Sequence, residues 1–254
     1  MASVSVSAII ITYNEEKNIA RCIESILDVA DEIIVADSYS TDQTKAICSG
    51  YPVKFLEHEF LGYSEQKNWA ILQTKFSIIL SLDADEELSP VLKKSIKEVK
   101  DNWVCDGYLF NRLNNYCGKW IKYGSWYPDR KLRLWNKEKG KWAILKIHEK
   151  VEMDPQAKIC RLKGDLLHYS YYTINQHIQT TKKYAKLSAR EYFLRNKKSN
   201  LLLVAFKPVW KFLRDYIFKA GFLCGYYGFI IAIIDSYGVY LKNWFLVQIL
   251  KEKI

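Results

Sequence analysis

The feature that most limits the fold is the regular exchange of apolar runs and amphipathic segments through the first hundred residues. Residues 4–12 begin with alternation and end in the unbroken run Ala8-Ile9-Ile10-Ile11. That is the pattern of a strand entering the middle of a parallel sheet covered on both faces. The polar turn Tyr13-Asn14-Glu15-Glu16 follows, with Asn14 as N-cap of a helix that reaches about residue 28 and shows Ile19, Ile23, Ile26 and Leu27 on one face. Residues 32–36 predict a second strand, 44–49 a short helix and 53–57 a third strand. A helix over 64–74 and a strongly apolar strand over 76–82 come next. Ser89 can cap a helix over 89–100, with Pro90 at its first position. This order predicts an α/β chain with an open, doubly wound, mostly parallel sheet. Ligands of such sheets bind at the carboxyl ends of the strands. Here those ends carry Asn14 and Glu15, the loop from Asp37 to Asp42, and Asp83 with Asp85.

Two carboxylates just past a buried strand need a cation, because burying unpaired charge is costly. A hard divalent ion on Asp83 and Asp85 can bridge them to a diphosphate and stabilise that group as it leaves. The same acidic stretch can instead complement the dipole of the next helix. Asp37 and Asp42 can accept hydrogen bonds from a ribose or a base, or can close Asx turns in their Ser/Thr/Asp loop. His168 ends an apolar run; it is either a third metal ligand or a satisfied core residue.

After residue 101 the pattern changes to short segments with scattered Trp, Tyr and Arg, a mixed β region closing over the crevice as far as about residue 172. Arg130, Arg133 and Trp135 are read along one strand face, either lining an acceptor cleft or forming a solvated face. Residues 175–197 and 201–219 predict amphipathic helices, and 221–234 is apolar but short of the ~20 residues a spanning helix needs. The expected division is a catalytic domain over 1–173, its nucleotide half ending near 100 and its acceptor half covering 101–173, then a helical extension over 174–254.

Charge follows that division. Residues 1–180 hold 24 Lys/Arg against 24 Asp/Glu, whereas 181–254 hold 14 against 4, which accounts for the whole net charge of +10. A basic, aromatic tail attracts an anionic surface or is simply a solvated helix face. Its Lys207, Lys211 and Arg214 share one helical face among aromatics, as in an interfacial helix pair lying in a membrane plane. The alternative is packing of those aromatics against the catalytic domain. The six cysteines form no C-x-x-C pair, so free buried thiols are expected rather than zinc or a disulfide framework. The first strand begins almost at Met1 with no leader before it, which predicts a cytoplasmic protein.

Ile10-Ile11-Thr12-Tyr13-Asn14-Glu15, Val35-Ala36-Asp37-Ser38 and Leu82-Asp83-Ala84-Asp85-Glu86 together resemble the signature of family 2 glycosyltransferases with the GT-A fold. Glu65-Gln66-Lys67-Asn68, the segment from Tyr127 to Leu134 and Ile147-His148-Glu149 are similar to the branch that includes lipopolysaccharide core β-1,4-glucosyltransferases. The resemblance covers roughly residues 5–170. It implies that Thr12, Tyr13, Asn14, Glu15 and Asp37 hold the nucleoside of a nucleoside-diphosphate sugar, a UDP-sugar favoured. Asp83 and Asp85 would hold the diphosphate through Mg2+ or Mn2+, with Asp85 the more direct ligand. Gln66, Lys67 and Asn68 would lie on the helix before the fourth strand, with Lys67 on a phosphate. Glu149 maps to the general base of an inverting transfer of a hexose such as glucose to a glycan or lipid-linked glycan, with Asp129 in reserve. His148 would orient Glu149 or touch the diphosphate. Such an enzyme would sit peripherally on the cytoplasmic face of the inner membrane, with no nucleic acid partner. Tyr39 stands where the related loop often has Gly, so a positive φ there would be strained.

Two alternatives fit less well. A nucleotidyltransferase would carry a Gly-rich basic loop after the first strand, unlike Tyr13-Asn14-Glu15-Glu16. A non-catalytic basic binding module has no use for carboxylates at three strand ends.

Overall fold

The computed structural model describes residues 3–144 and 149–251. Strands β1 (Val6–Thr12), β2 (Glu32–Asp37), β3 (Lys54–Glu57) and β4 (Ile78–Asp83) lie in the order β3-β2-β1-β4, all parallel. Every residue of β1 is buried, and its alternate side chains serve two different cores. Val6, Ala8 and Ile10 pack with Ile19, Cys22 and Ile23 of helix α1 (Ile19–Glu24) and with Leu92 and Ile96 of α4 (Pro90–Asp101). Ile9 and Ile11 pack on the other face against Ala70 and Ile71 of α3 (Tyr63–Leu72). The apolar run is thus two faces at period two. Each fully buried Ile contributes about 1.5–3 kcal/mol. A short α2 (Thr44–Cys48) follows β2.

Asn14 is not a cap. Helix α1 starts later, at Ile19, and Asn14 has φ +54°, a conformation Asn tolerates. Ser89 does cap α4, its hydroxyl accepting from Leu92 N–H at 3.3 Å, with Pro90 behind it. Glu86 opens a short strand, β5 (Glu86–Leu88), within the acidic stretch that follows β4.

The sheet continues beyond β4 with β8 (Asp129–Asn136), β6 (Gly107–Tyr116), β11 (Ile159–Tyr171) and β5. A small β7 (Lys119–Ile121) pairs with β6, and β9 (Gly140–Trp142) pairs antiparallel with β10 (Val151–Met153). Ser89 and Asp165 fix the middle of β11: Ser89 N–H donates to Asp165 C=O and Asp165 N–H to Ser89 Oγ, each at 3.1 Å. Gly164, at φ +94°, allows that approach, since a Cβ there would stand 2.3 Å from Leu92 N.

Cys105 and Cys160 form a disulfide, which corrects the expectation of six free thiols; Cys22, Cys48, Cys117 and Cys224 are free. Fifty-five residues separate the two, and only the return of β11 to the sheet brings their Cα atoms to 6.1 Å.

The chain forms two compact units, Met1–Arg112 with Arg130–His168, and Leu113–Asp129 with Tyr169–Ile254. The second holds α5 (Ile174–Leu194), α6 (Leu201–Leu213) and α7 (Tyr226–Lys251), with α7 packed on both of the others. A capping box of Thr173 and Gln176 opens α5. The apolar stretch from 221 does not end at Asp235, as its sequence suggests. Trp126 Nε1–H donates to Asp235 Oδ2 at 3.1 Å, Lys211 Nζ lies at 3.1 Å and His177 Nε2 is 3.4 Å from Oδ1. With that carboxylate satisfied, α7 runs for 26 residues, long and apolar enough by length and composition to cross a membrane. Close to half of its most apolar window (44%) is buried inside the protein.

Candidate functional site

The site gathers around the end of β4, in the first unit. Antiparallel pairing of β4 with β8, Leu80 opposite Leu134, brings Arg133 beside Asp83. Arg133 Nη2 lies 2.8 Å from Asp83 Oδ2 and 2.7 Å from Glu86 Oε1. Lys67 of α3 arrives from the other side, its Nζ 2.9 Å from Asp83 Oδ1 and 2.7 Å from Glu149 Oε2. Arg112 Nη1 is 3.7 Å from Glu86 Oε1. Three cations and three carboxylates therefore form one balanced cluster. Lys67, Arg133 and Glu86 are buried, while the Asp83 and Glu149 side chains are about one quarter exposed (27% and 25%). The Trp142 ring lies over Lys67, 4.4 Å from Nζ to the ring centre. Burial by itself would raise the Asp83 pKa, but Lys67 and Arg133 outweigh it and hold this carboxyl well below the ordinary range. Burial likewise opposes charge on Arg133, and Glu86 and Asp83 more than restore it.

Asp83 thus has both oxygens on protein cations rather than open to the crevice. Asp85 is different. Its Oδ2 lies 3.2 Å from His168 Nε2, because β11 pairs antiparallel with β5 in the register that sets His168 opposite Glu86. Both side chains keep some exposure, 27% for Asp85 and 16% for His168. Burial raises the pKa of nearby Glu15, and the charges of Asp85 and Asp42 add to that, against Asn18, which lowers it. Among the described residues no group of three His, Cys, Asp or Glu side chains converges on one point.

The acceptor-face expectation changes most. Trp135 is fully buried, its Nε1–H donating to Gly140 C=O at 3.0 Å, and it packs edge-on against Trp142. Arg133, on the same strand face, is likewise under the site rather than lining a cleft. Arg130 is exposed and an odd number of residues away from both, so the period-two strand turns it to the opposite face. Asp129 begins that strand and belongs to the second unit.

At the nucleotide end, Asp37 is buried and accepts from Ser40 N–H at 2.7 Å and from the Ser40 hydroxyl, which is Asx-turn chemistry. The crevice loops are laced together. Thr41 N–H donates to Asn14 Oδ1 and Asn14 N–H to Ser40 Oγ, both at 2.8 Å. Glu15 N–H donates to Thr44 Oγ1 at 2.9 Å, and Glu16 N–H to Asp42 Oδ2 at 3.0 Å. Tyr39 has φ +61° and Tyr13 stands beside this loop system in sequence; both rings are 58% exposed. The left-handed conformation costs an L residue roughly 1–2 kcal/mol. Tyr39→Gly is therefore expected to raise stability by about 0.5–1 kcal/mol after the extra entropy of glycine is deducted. Chemical denaturation would read this, and an unchanged or lowered midpoint would refute it.

Lys67 is deeply buried. Gln66 Oε1 is 2.9 Å from Nδ1 of His58, whose ring stacks on Trp69 with centres 4.0 Å apart. Gln66 Nε2 and Thr12 Oγ1 are buried and without a hydrogen-bond partner among the described residues, as a polar ligand would require. Asn68 points elsewhere: its amide donates to Trp142 C=O at 2.9 Å and accepts from Trp142 N–H at 3.1 Å, holding that ring in place. His148 lies outside the described residues. Sequence reasoning missed Glu86, Arg112, Trp142 and His58. Glu86 had a signal in the acidic run after β4; the other three had none, because strand pairing and loop return place them.

A profile of glycosyl transferase family 2 matches residues 7–154. An uncharacterized glycosyltransferase of Rickettsia typhi is 32% identical over 248 residues, covering 93% of this chain and 85% of the relative. The lipopolysaccharide core biosynthesis glycosyltransferase LpsC of Rhizobium meliloti is 31% identical over 244 residues, 92% of this chain and 89% of the relative. A crystal structure of S. aureus TarS, residues 1–349, aligns over 98% of this chain and 91% of its own at 16% identity and a TM-score of 0.48. The chain belongs to glycosyl transferase family 2, and its α/β sheet, parallel over β3-β2-β1-β4, is of the GT-A type.

Proposed function

We propose that the enzyme moves a hexose such as glucose, with inversion, from a nucleoside-diphosphate sugar (a UDP-sugar favoured) to a glycan or lipid-linked glycan. The product would belong to lipopolysaccharide core or another cell-surface glycan, built at the cytoplasmic face of the inner membrane. The observation that carries this reading is the Asp85–His168 pair beside the Lys67–Glu149 contact, both at the end of β4. Core synthesis is supported by the likeness to LpsC.

Asp85 and His168 suit a divalent metal. A carboxylate oxygen and an imidazole nitrogen face one another 3.2 Å apart, partly exposed, and this donor set suits Mn2+ as well as Mg2+ with further oxygens from a diphosphate. The ion, when bound, neutralises charge on the leaving diphosphate. Asp83 instead anchors Lys67 and Arg133. Thr12, Gln66 and the laced loops carrying Tyr13, Asn14, Glu15 and Asp37 form the nucleoside end. The acceptor hydroxyl oxygen bonds to the anomeric carbon as the bond to the diphosphate oxygen breaks, that oxygen keeping the electron pair. Glu149 takes the hydroxyl proton. Lys67 holds Glu149 in place.

Glu149→Gln is expected to lower kcat by about 10²–10⁴-fold while leaving the donor KM within a few-fold, because only proton transfer is lost. Steady-state turnover would show this, and a retained kcat would remove Glu149 from the base role. A screen of nucleotide-sugars with Mg2+ or Mn2+ identifies the donor. Release of free nucleoside diphosphate marks sugar transfer, whereas pyrophosphate would contradict it.

A further inference from the structure

Helix α6 is amphipathic and turns an apolar face outward. At 100° per residue, Leu202, Phe206 and Val209 fall along one line and Lys207, Lys211 and Arg214 along the opposite side, where Val204 is buried. On that side Lys211 is tucked in, its side chain 19% exposed, whereas Lys207 and the Arg214 side chain keep solvent exposure while still meeting protein partners. Lys211 pairs with Asp215 and with Asp235, Arg214 Nε donates to Asp215 Oδ1 at 2.7 Å, and Lys207 Nζ donates to Asn243 Oδ1 at 3.3 Å. These cations are engaged by the protein itself. The apolar line is left outside: Leu202 is 68% exposed, Phe206 70%, and Val209 and Trp210 58% each, and Ile217 and Phe218 continue it past the helix end. Single exposed apolar residues need no explanation, but a contiguous stripe of this kind marks an interaction surface.

Charge decides what covers it. Exposed Lys197 and Lys198 stand before the helix and exposed Lys219 after it, within a tail holding 14 basic against 4 acidic residues. A second copy of the chain laid on this stripe would bring cation against cation. An anionic lipid surface takes both features, headgroups on the end lysines and acyl chains on the rings. We propose that the outward face of α6, through Phe206, Trp210 and their neighbours, inserts into the acyl boundary of an anionic phospholipid bilayer. Lys211, ion-paired inside the protein, takes no part in that contact. This rests on the reading above that the enzyme works at a membrane, and it replaces adsorption through Lys207, Lys211 and Arg214 with insertion through the opposite face.

The test is co-sedimentation of the full chain with phosphatidylcholine vesicles, with and without phosphatidylglycerol, at low and high salt. Binding to the mixed vesicles should survive high salt in large part, since acyl contact is not screened. The exposed double variant Phe206→Ser with Trp210→Ser should lose at least about tenfold in vesicle affinity. It should keep its circular dichroism and its donor hydrolysis in solution. If binding vanishes at high salt and the double variant binds like the parent, insertion is overturned while the membrane reading stands. Absence of binding to either vesicle at any salt would overturn both. A concentration-dependent dimer in sedimentation equilibrium that the double variant abolishes, with vesicle binding unchanged, would assign the stripe to self-association instead.

Discussion

Arg133→Met should lower folding stability by about 3–5 kcal/mol, the cost typical of removing one partner from a buried ion pair. Its guanidinium joins Asp83 to Glu86, and the Glu86 side chain is completely buried, so the substitution leaves carboxylates without their closest cation. Urea denaturation gives the number, and a loss below about 1 kcal/mol would mean that the cluster is solvated. Adding Glu86→Gln to Arg133→Met should recover part of the loss, since it removes the charge left unpaired. The pH dependence has a definite sign. The folded-state pKa of Asp83 is depressed, so its stabilisation is fully present above the pKa of an unfolded aspartate and is lost as pH falls toward the folded value. The parent should therefore weaken in acid more steeply than the Arg133→Met variant, in which one of the two cations depressing that pKa is gone.

The second large effect separates the two aspartates. If Asp85 is a metal ligand, Asp85→Ala should cut metal-dependent turnover by about 10³-fold or more, the equivalent of several kcal/mol of charge stabilisation. Folding stability should shift by no more than about 0.5 kcal/mol, as at a partly exposed position outside the buried cluster. Asp83→Asn should do the reverse in part, destabilising the fold because Lys67 and Arg133 lose a shared counter-charge. Metal titration of activity, read beside denaturation of both variants, checks the assignment. An active Asp85→Ala protein with an inactive but fully stable Asp83→Asn protein would reverse the roles.

Much of the sheet is legible in the sequence. The four parallel strands, the helices between them and the placing of Asp83 and Asp85 at a strand end all follow from local patterns: period two, helical periodicity and capping at Ser89. The second half of the sheet is not, because its strands pair with partners that lie far off in sequence. Pairing of β4 with β8 turns Arg133 from an acceptor-cleft candidate into the clamp on Asp83. Pairing of β5 with β11 brings His168 to Asp85 across more than eighty residues. Asn68 clasps the main chain of Trp142, a contact that no local rule foresees.

The tail repeats the lesson in reverse. Its basic and apolar residues could be assigned to opposite helical faces from sequence, since that needs only the helical repeat. Asp215 meets Lys211 within one helical turn, but Asp235 and Asn243 reach Lys211 and Lys207 only because α6 packs on α7. The same Asp235, read as the end of an apolar stretch, lies within one continuous helix because Trp126, His177 and Lys211 satisfy it. Local periodicity determined which segments are strands and helices and which residues share a face. Tertiary pairing decided which charges neutralise one another and which stay available, because a charge's cost depends on partners that the chain supplies from a distance.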